Sequence, residues 1–290
     1  MIAQSFNYES PGTLSEAFAL LQKYGEDAKI MSGGHSLIPM MKLRLATPDH
    51  LIDINGIPGL SDIKEENGYI HIGALAREAD LEHSELLAKY FPIFKDATKL
   101  IADPQVRNRG TIGGNLAHGD AANDHPAVML ALRAVVEITS AEGKREVPID
   151  EFFFGFYMTA IQQGEILTGI KIPIPKASTG NAYHKLERKV GDYATSGAAV
   201  QLTLDEKGIV TAAGIALTNV SPVPTRITRS EEALIGKPLT DETISLAAQY
   251  ASEDCSPSAD LRGSEEYKRH VTGVLVKRMI IKADQRAMMS

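Results

Sequence analysis

Two short segments carry the residue types from which an anion site can be built. Ile30-Met31-Ser32-Gly33-Gly34-His35-Ser36-Leu37 sets two glycines between hydroxyl side chains, and Gly110-Thr111-Ile112-Gly113-Gly114-Asn115 echoes it later in the chain. Glycine has no Cβ, so its backbone can approach a bulky anion closely and adopt positive φ. Successive N–H groups in such a turn form a concave anion site, strengthened when a helix begins just after it. Taken singly, a Gly-Gly pair reads more readily as a simple turn. The two pairs together, with Ser32, Ser36, Thr111 and Asn115 as donors, point to one ligand with two phosphates gripped from two sides, a dinucleotide. Neither segment matches G-x-G-x-x-G with a downstream acid, and no G-x-x-x-x-G-K-[ST] occurs. A Rossmann nicotinamide site and a P-loop therefore have no support.

Three further groups carry residue types that could do chemistry. His118-Gly119-Asp120 with Asn123-Asp124-His125 holds metal-ligand types, but in no standard spacing. A helix N-cap at Asn123 or Asp124 explains the acid equally well, and the carboxylate also suits ribose or ribityl hydroxyls. No metal is expected. On a strand, Lys185, Glu187 and Lys189 share one side, and Lys185 facing the first domain would balance a pyrophosphate. Tyr193, just past Gly191-Asp192, is a rigid aromatic able to pack on a planar ring; a core or interface tyrosine fits equally. His35, alone between Gly34 and Ser36, reads as structural. No Ser-His-Asp or Cys-His set is present. Glycines, hydroxyls and an aromatic bind a cofactor and leave the chemistry to it.

Regular elements must hold these residues in place. Thr13-Leu14-Ser15-Glu16 fits a capping box, and Leu14, Phe18 and Leu21 follow at helical spacing up to Gly25. Lys29 to Met31 reads as a strand, Leu37 to Leu45 as a short helix with Pro39 in its first turn, and His50 to Ile54 as a strand. The first glycine loop thus opens at a strand end of a small α/β lobe, where ligands bind in such sheets. A second lobe follows from residue 56. Tyr69 to Leu75 predicts a strand, Glu78 to Tyr90 a helix, and Pro92 to Ile101 a helix that stops at Asp103-Pro104. His125 to Ala134 is helical, and Val135 to Thr139 pairs with Lys144 to Ile149 as a hairpin. Ile170, Ile172 and Ile174 mark a strand ending at prolines.

Pro173 to Gly180 is the linker candidate. Beyond it, Ala182 to Arg188, Gly197 to Leu204 and Ile209 to Asn219 predict strands. Glu231 to Ile235, Asp241 to Ser252 and Glu265 to Met288 predict helices, giving an α+β domain with an antiparallel sheet.

The 290 residues suggest two domains. A net charge of −7 argues against nucleic acid as partner. No run of about 18 apolar residues suggests a transmembrane helix, and the first residues do not read as a signal peptide, so a cytoplasmic protein is expected. Cys255 is the only cysteine. One thiol makes no disulfide, Cys-rich zinc site or iron–sulfur cluster, so any such cluster must sit on another chain.

Essentially from end to end, the chain resembles the FAD-binding medium subunit of the molybdenum hydroxylases, the xanthine dehydrogenase/carbon monoxide dehydrogenase family. The segments from Gly33 to Lys42 and from Thr111 to Asn115 look like that family's two FAD pyrophosphate loops. Lys189-Val190-Gly191-Asp192-Tyr193-Ala194 looks most like the carbon monoxide dehydrogenase branch. The resemblance implies a vanillyl-alcohol-oxidase/p-cresol-methylhydroxylase-type fold, with an FAD-binding domain over 1–175 (lobes of about 1–55 and 56–175) and a C-terminal α+β domain over 176–290. It implies that Ser32, Gly33, Gly34, His35, Ser36 and Leu37, with Thr111, Ile112, Gly113, Gly114 and Asn115, hold the pyrophosphate. Asp124 would meet the cofactor's sugar-phosphate arm. Ile101 and Tyr193 would flank the flavin, and Leu167 and Lys185 match further cofactor-contacting positions. Tyr193 departs from the xanthine dehydrogenase branch, which has an aliphatic residue there.

The implied partners are a small subunit with two [2Fe-2S] clusters and a large molybdopterin subunit, in a dimer of heterotrimers that passes electrons to an external acceptor. The alternative is a self-sufficient FAD-dependent oxidoreductase of the same fold.

Overall fold

In the computed structural model, which describes residues 2–289, Thr13 caps the helix Leu14–Tyr24. Its hydroxyl accepts from Glu16 N–H at 3.2 Å, while the Glu16 carboxylate accepts from Gly12 N–H at 2.7 Å, one residue earlier than a capping box requires. Gly25 ends the helix at φ +56°. The chain then enters Ala28–Met31, the edge of a parallel sheet ordered Asn7–Glu9, His50–Asp53, Ala28–Met31. Asn7–Glu9 was not expected, because three residues of mixed polarity carry no alternation. The helix after the first glycine segment is shorter than predicted, Leu37–Lys42, and Arg44 turns out of it at φ +58°.

The second lobe is an antiparallel sheet in the order Ile63–Glu66, Tyr69–Gly73, Ile166–Pro173, Val135–Ser140, Gly143–Pro148. Its outermost strand, Ile63–Glu66, is largely solvated and escaped the sequence reading. Glu78 to Tyr90 is two helices, not one. Ser84 leaves helical geometry and caps Glu85–Tyr90 by accepting from Leu87 N–H at 3.2 Å. The helix expected over Pro92 to Ile101 is shorter, Ile93–Thr98, and Asp103 does not end it but caps a separate helix, Pro104–Arg107.

The C-terminal sheet runs Thr179–Leu186, Ser196–Leu204, Val210–Thr218, Thr225–Arg226, all antiparallel. The period of two decides its packing. Tyr183, Ala199 and Ala216 face the second lobe and join the core around Phe94 and Val128. Ala182, Ala198, Val200, Ile215 and Leu217 face the other way, under the helices Asp241–Asp254 and Glu265–Ala287. Glycine permits close approach on both faces: a Cβ on Gly214 would strike Ala131 O of the helix Asp124–Ala131, and one on Gly180 would strike Ala283 O. Polar ties add to this seam. Asp96 accepts from Arg286 at 2.6 and 3.0 Å and from Lys282 at 2.9 Å.

Candidate cofactor site

A cavity of about 1080 Å³ opens between these three sheets. That is just above the roughly 300–1,000 Å³ usual for small-molecule and cofactor sites. Both glycine segments stand on its wall and touch each other. Ser32 Oγ lies 3.1 Å from Thr111 Oγ1, and a Cβ on Gly33 would fall 2.5 Å from Arg109 O. Ser32 to Ser36 leave the end of strand Ala28–Met31 and turn into helix Leu37–Lys42. Among the described residues, none of the main-chain N–H groups from Ser32 to Leu37 donates to an acceptor in the chain. Gly34 makes the turn at φ +75°. The His35 ring hydrogen-bonds Gly33 O at 2.8 Å; a carbonyl only accepts, so Nδ1 carries the proton. The lone histidine braces the loop.

The second segment differs from its sequence reading. It is no open loop: Thr111 is the N-cap of helix Ile112–His118, so Gly113, Gly114 and Asn115 form its first turn. The N–H groups are already engaged, Ile112 with Ala76 O, Gly113 with Ala74 O and Gly114 with Thr111 Oγ1. What this segment offers the cavity is side chains and room. A Cβ on Gly114 would come within 2.7 Å of both Ser32 Oγ and Thr111 Oγ1. Asn115 Oδ1 is buried on the wall with no partner. Gly113 lets the helix close on Ala74, and Ile112 lies behind the wall, fully buried in the core. Among these four glycines, only Gly34 has positive φ.

Ile101, Asp124, Leu167, Lys185 and Tyr193 also line the cavity. Lys185 faces the first domain as expected, but its ammonium is committed to side chains, 3.0 Å from Asp124 Oδ2 and 3.6 Å from Glu187 Oε2. Burial pushes the Asp124 carboxyl up, against the opposing pull of Lys185 and of the Tyr183 hydroxyl. The strand ends at Leu186, so Glu187 to Lys189 do not continue its alternation. The turn that follows packs beside Ile101: Gly191, at φ +80°, has Ala102 O where a Cβ would sit, 2.5 Å away. Asp192 accepts from Arg262 at 2.9 Å and from Arg188 at 3.0 Å, which holds its carboxyl down at about 2. Arg262 also lies 5.8 Å from the centre of the Tyr193 ring.

The His/Asp cluster disperses. His125 Nε2 meets Glu78 Oε2 at 2.6 Å inside the core; burial works against its protonation, yet Glu78 carries the imidazole above its usual range. The His118 ring lies 4.9 Å from that of Tyr157, tilted by 42°, and the Tyr157 hydroxyl donates to Asp120 at 3.3 Å. Among the described residues, no three His, Cys, Asp or Glu side chains gather as a metal site. Cys255 is buried beside Ser252 O, and burial pushes its thiol up.

Two residues of this region escaped the sequence reading. Tyr183 sits two positions before Lys185 on one strand, so the period of two already placed it on the same face. Tyr157 had no such signal.

The family model described as the FAD binding domain in molybdopterin dehydrogenase matches residues 4–175, and the CO dehydrogenase flavoprotein C-terminal domain matches 181–283. The chain belongs to this flavoprotein family. The flavoprotein is 47% identical to the carbon monoxide dehydrogenase medium chain of Hydrogenophaga pseudoflava over 97% of each chain. It is 46% identical to that of Afipia carboxidovorans over 99% of each. The solved carbon monoxide dehydrogenase from Hydrogenophaga pseudoflava that lacks the Mo-pyranopterin moiety superposes with a TM-score of 0.96, at 49% identity and 99% coverage of both chains. The flavoprotein shares that α+β fold and is an FAD-binding oxidoreductase component.

Proposed function

We propose that this chain is the electron-transfer subunit of a heterotrimeric molybdenum hydroxylase, and that its FAD occupies the cavity between the three sheets. The observation that carries the reading is the convergence of the unpaired N–H groups of Ser32 to Leu37 with Thr111, Gly114 and Asn115 on one cavity. Free N–H groups and a helix N-terminus on one side, hydroxyls and an amide on the other, suit the two phosphates of a dinucleotide. Ser32, Gly33, Gly34, His35 and Ser36 hold one side of that diphosphate, with Leu37 opening the helix behind it. Thr111, Gly114 and Asn115 hold the other, braced by Gly113 and Ile112. Asp124 accepts from the cofactor's hydroxyls, and Lys185 keeps the charge of that wall balanced. Ile101, Leu167 and Tyr193 enclose the flavin. FAD supplies the capacity to take electrons singly and release them in pairs.

In domain terms, residues 1–175, with lobes of about 1–55 and 56–175, bind the cofactor and 176–290 close the site. The reading is supported by the two family models, one of which ends at residue 175 and the other of which begins at 181. The partners are a small subunit with [2Fe-2S] clusters and a large molybdopterin subunit that carries the substrate chemistry, assembled as a dimer of heterotrimers. Electrons leave to an external acceptor. No helix among the described residues is long and apolar enough to cross a membrane, and we place the complex in the cytoplasm.

The test is direct. Purified with its partners, the chain should be yellow and release FAD, not FMN, on denaturation. A colourless protein that gains no flavin absorption when FAD is added overturns the reading.

A further inference from the structure

We propose that Tyr183 is a positioning residue of the cofactor site, acting through Asp124. The inference rests on the placement of FAD in the cavity, since Tyr183 itself lies behind the wall. Its side chain is fully buried, and its hydroxyl donates to Asp124 Oδ1 at 2.5 Å across a separation of 59 residues. A tyrosine has one O–H proton, and Asp124 takes it. The Thr218 hydroxyl, 3.2 Å from the same oxygen, is therefore the donor in that second bond.

Lys185 holds the other carboxylate oxygen, Oδ2, at 3.0 Å. Both oxygens of an acid on the FAD-binding domain are thus gripped from a single strand of the C-terminal sheet. A carboxylate offers about four lone-pair sites. Two are spent on Tyr183 and Lys185, and the remainder are aimed by them. Asp124 lines the cavity, which makes those acceptors available to hydroxyl donors a ligand brings.

The sheet leaves room for this arrangement. Lys185, Gly197 and Thr218 are register partners across three strands. A Cβ on Gly197 would fall 2.8 Å from the Tyr183 hydroxyl and 3.0 Å from Thr218 Cβ. Glycine there is what lets the hydroxyl reach the acid. Without that hydroxyl, Asp124 is held by Lys185 alone and swings toward it, taking its free acceptors out of line.

The experiment is an FAD titration of the full chain, followed by flavin fluorescence, on wild type, Tyr183→Phe, Asp124→Asn and the double variant. Thermal unfolding without FAD reports the fold of each. Tyr183→Phe should weaken FAD binding roughly tenfold, the value of one hydrogen bond to a charged group. In the Asp124→Asn background it should change affinity less than about twofold, because the two residues act as one unit. Wild-type affinity in Tyr183→Phe, or a full second loss in the double variant, overturns the proposal and leaves Tyr183 a packing residue. Should Tyr183→Phe fail to fold, Gly197→Ala displaces the same hydroxyl from the far side and must show the same coupling to Asp124→Asn. A wild-type chain that binds no FAD would instead defeat the placement of the cofactor.

Discussion

Ser32 and Thr111 stand hydroxyl to hydroxyl at 3.1 Å although 79 residues separate them. The contact joins the loop leaving the parallel sheet of the first lobe to the helix cap at Thr111 in the second, on the cavity wall. Gly114 makes it possible, since a Cβ there would reach both oxygens at 2.7 Å. Gly114→Ala should part the pair and weaken FAD binding tenfold or more. Alanine favours a helix over glycine by about 1 kcal/mol, which offsets the roughly 1 kcal/mol lost if the Thr111 cap is displaced, so thermal stability should change little. Reduced affinity without reduced stability, measured by titration and calorimetry, is the expected signature.

Gly33→Ala is expected to behave differently. Its Cβ meets main chain, Arg109 O at 2.5 Å and Gly110 Cα at 2.9 Å, and main chain cannot swing aside. The two segments must separate. Overpacking of this kind costs about 1–3 kcal/mol, and calorimetry of the FAD-free chain should show a lower Tm. An unchanged Tm would mean that the segments do not touch.

Arg262→Gln tests the turn that carries Tyr193. Asp192 is held at about 2 by Arg262 first and Arg188 second, against the opposing effect of burial. The unfolded carboxyl titrates near 3.9. The folded value is the lower one, so the contribution to stability is fully present above about pH 4 and is lost as pH falls through 2. In Arg262→Gln the carboxyl should move up toward the ordinary range, seen by carbon NMR of the Asp192 side chain. An unmoved titration would rule out the clamp.

Arg286→Met should destabilise the seam between the domains more than Lys282→Met. Arg286 donates twice to Asp96 and once to Asn181 O, while Lys282 makes one contact from a more exposed position. Urea unfolding should show a loss of about 1–3 kcal/mol for the first and below about 1 kcal/mol for the second. Equal losses would show that the bidentate geometry contributes nothing.

Tyr193→Ala removes an aromatic that is 44% exposed at the cavity. Stability should stay within about 0.5 kcal/mol, while the flavin's midpoint potential shifts. Potentiometric titration with identical potentials would place the ring elsewhere.

Much of this was legible in the chain. The long strands of the C-terminal sheet announce themselves because each buries both faces under different neighbours, so apolar runs of the right length survive. The glycine segments were visible because few other residues permit such close approach. The strand Asn7–Glu9 was not, because a partner distant in sequence imposes it; Ile63–Glu66 pairs with the next strand across Asn67-Gly68, but its largely charged residues carry no alternation. The second glycine segment misled for a local reason: Gly113 and Gly114 disfavour a helix, yet the Thr111 cap and the packing on Ala74 outweigh them. The commitment of Lys185 to Asp124 spans 61 residues and leaves no periodic trace.

A chain made from its N-terminus onward exposes both glycine segments well before Thr179–Leu186 has been synthesised. The ammonium and phenol that grip Asp124 therefore arrive late. If that grip is needed, cofactor loading is expected to await the C-terminal sheet, whose first strand begins at Thr179. Ribosome-bound chains stalled short of that strand should retain far less flavin than released ones, and a cell short of FAD would accumulate finished but empty subunits.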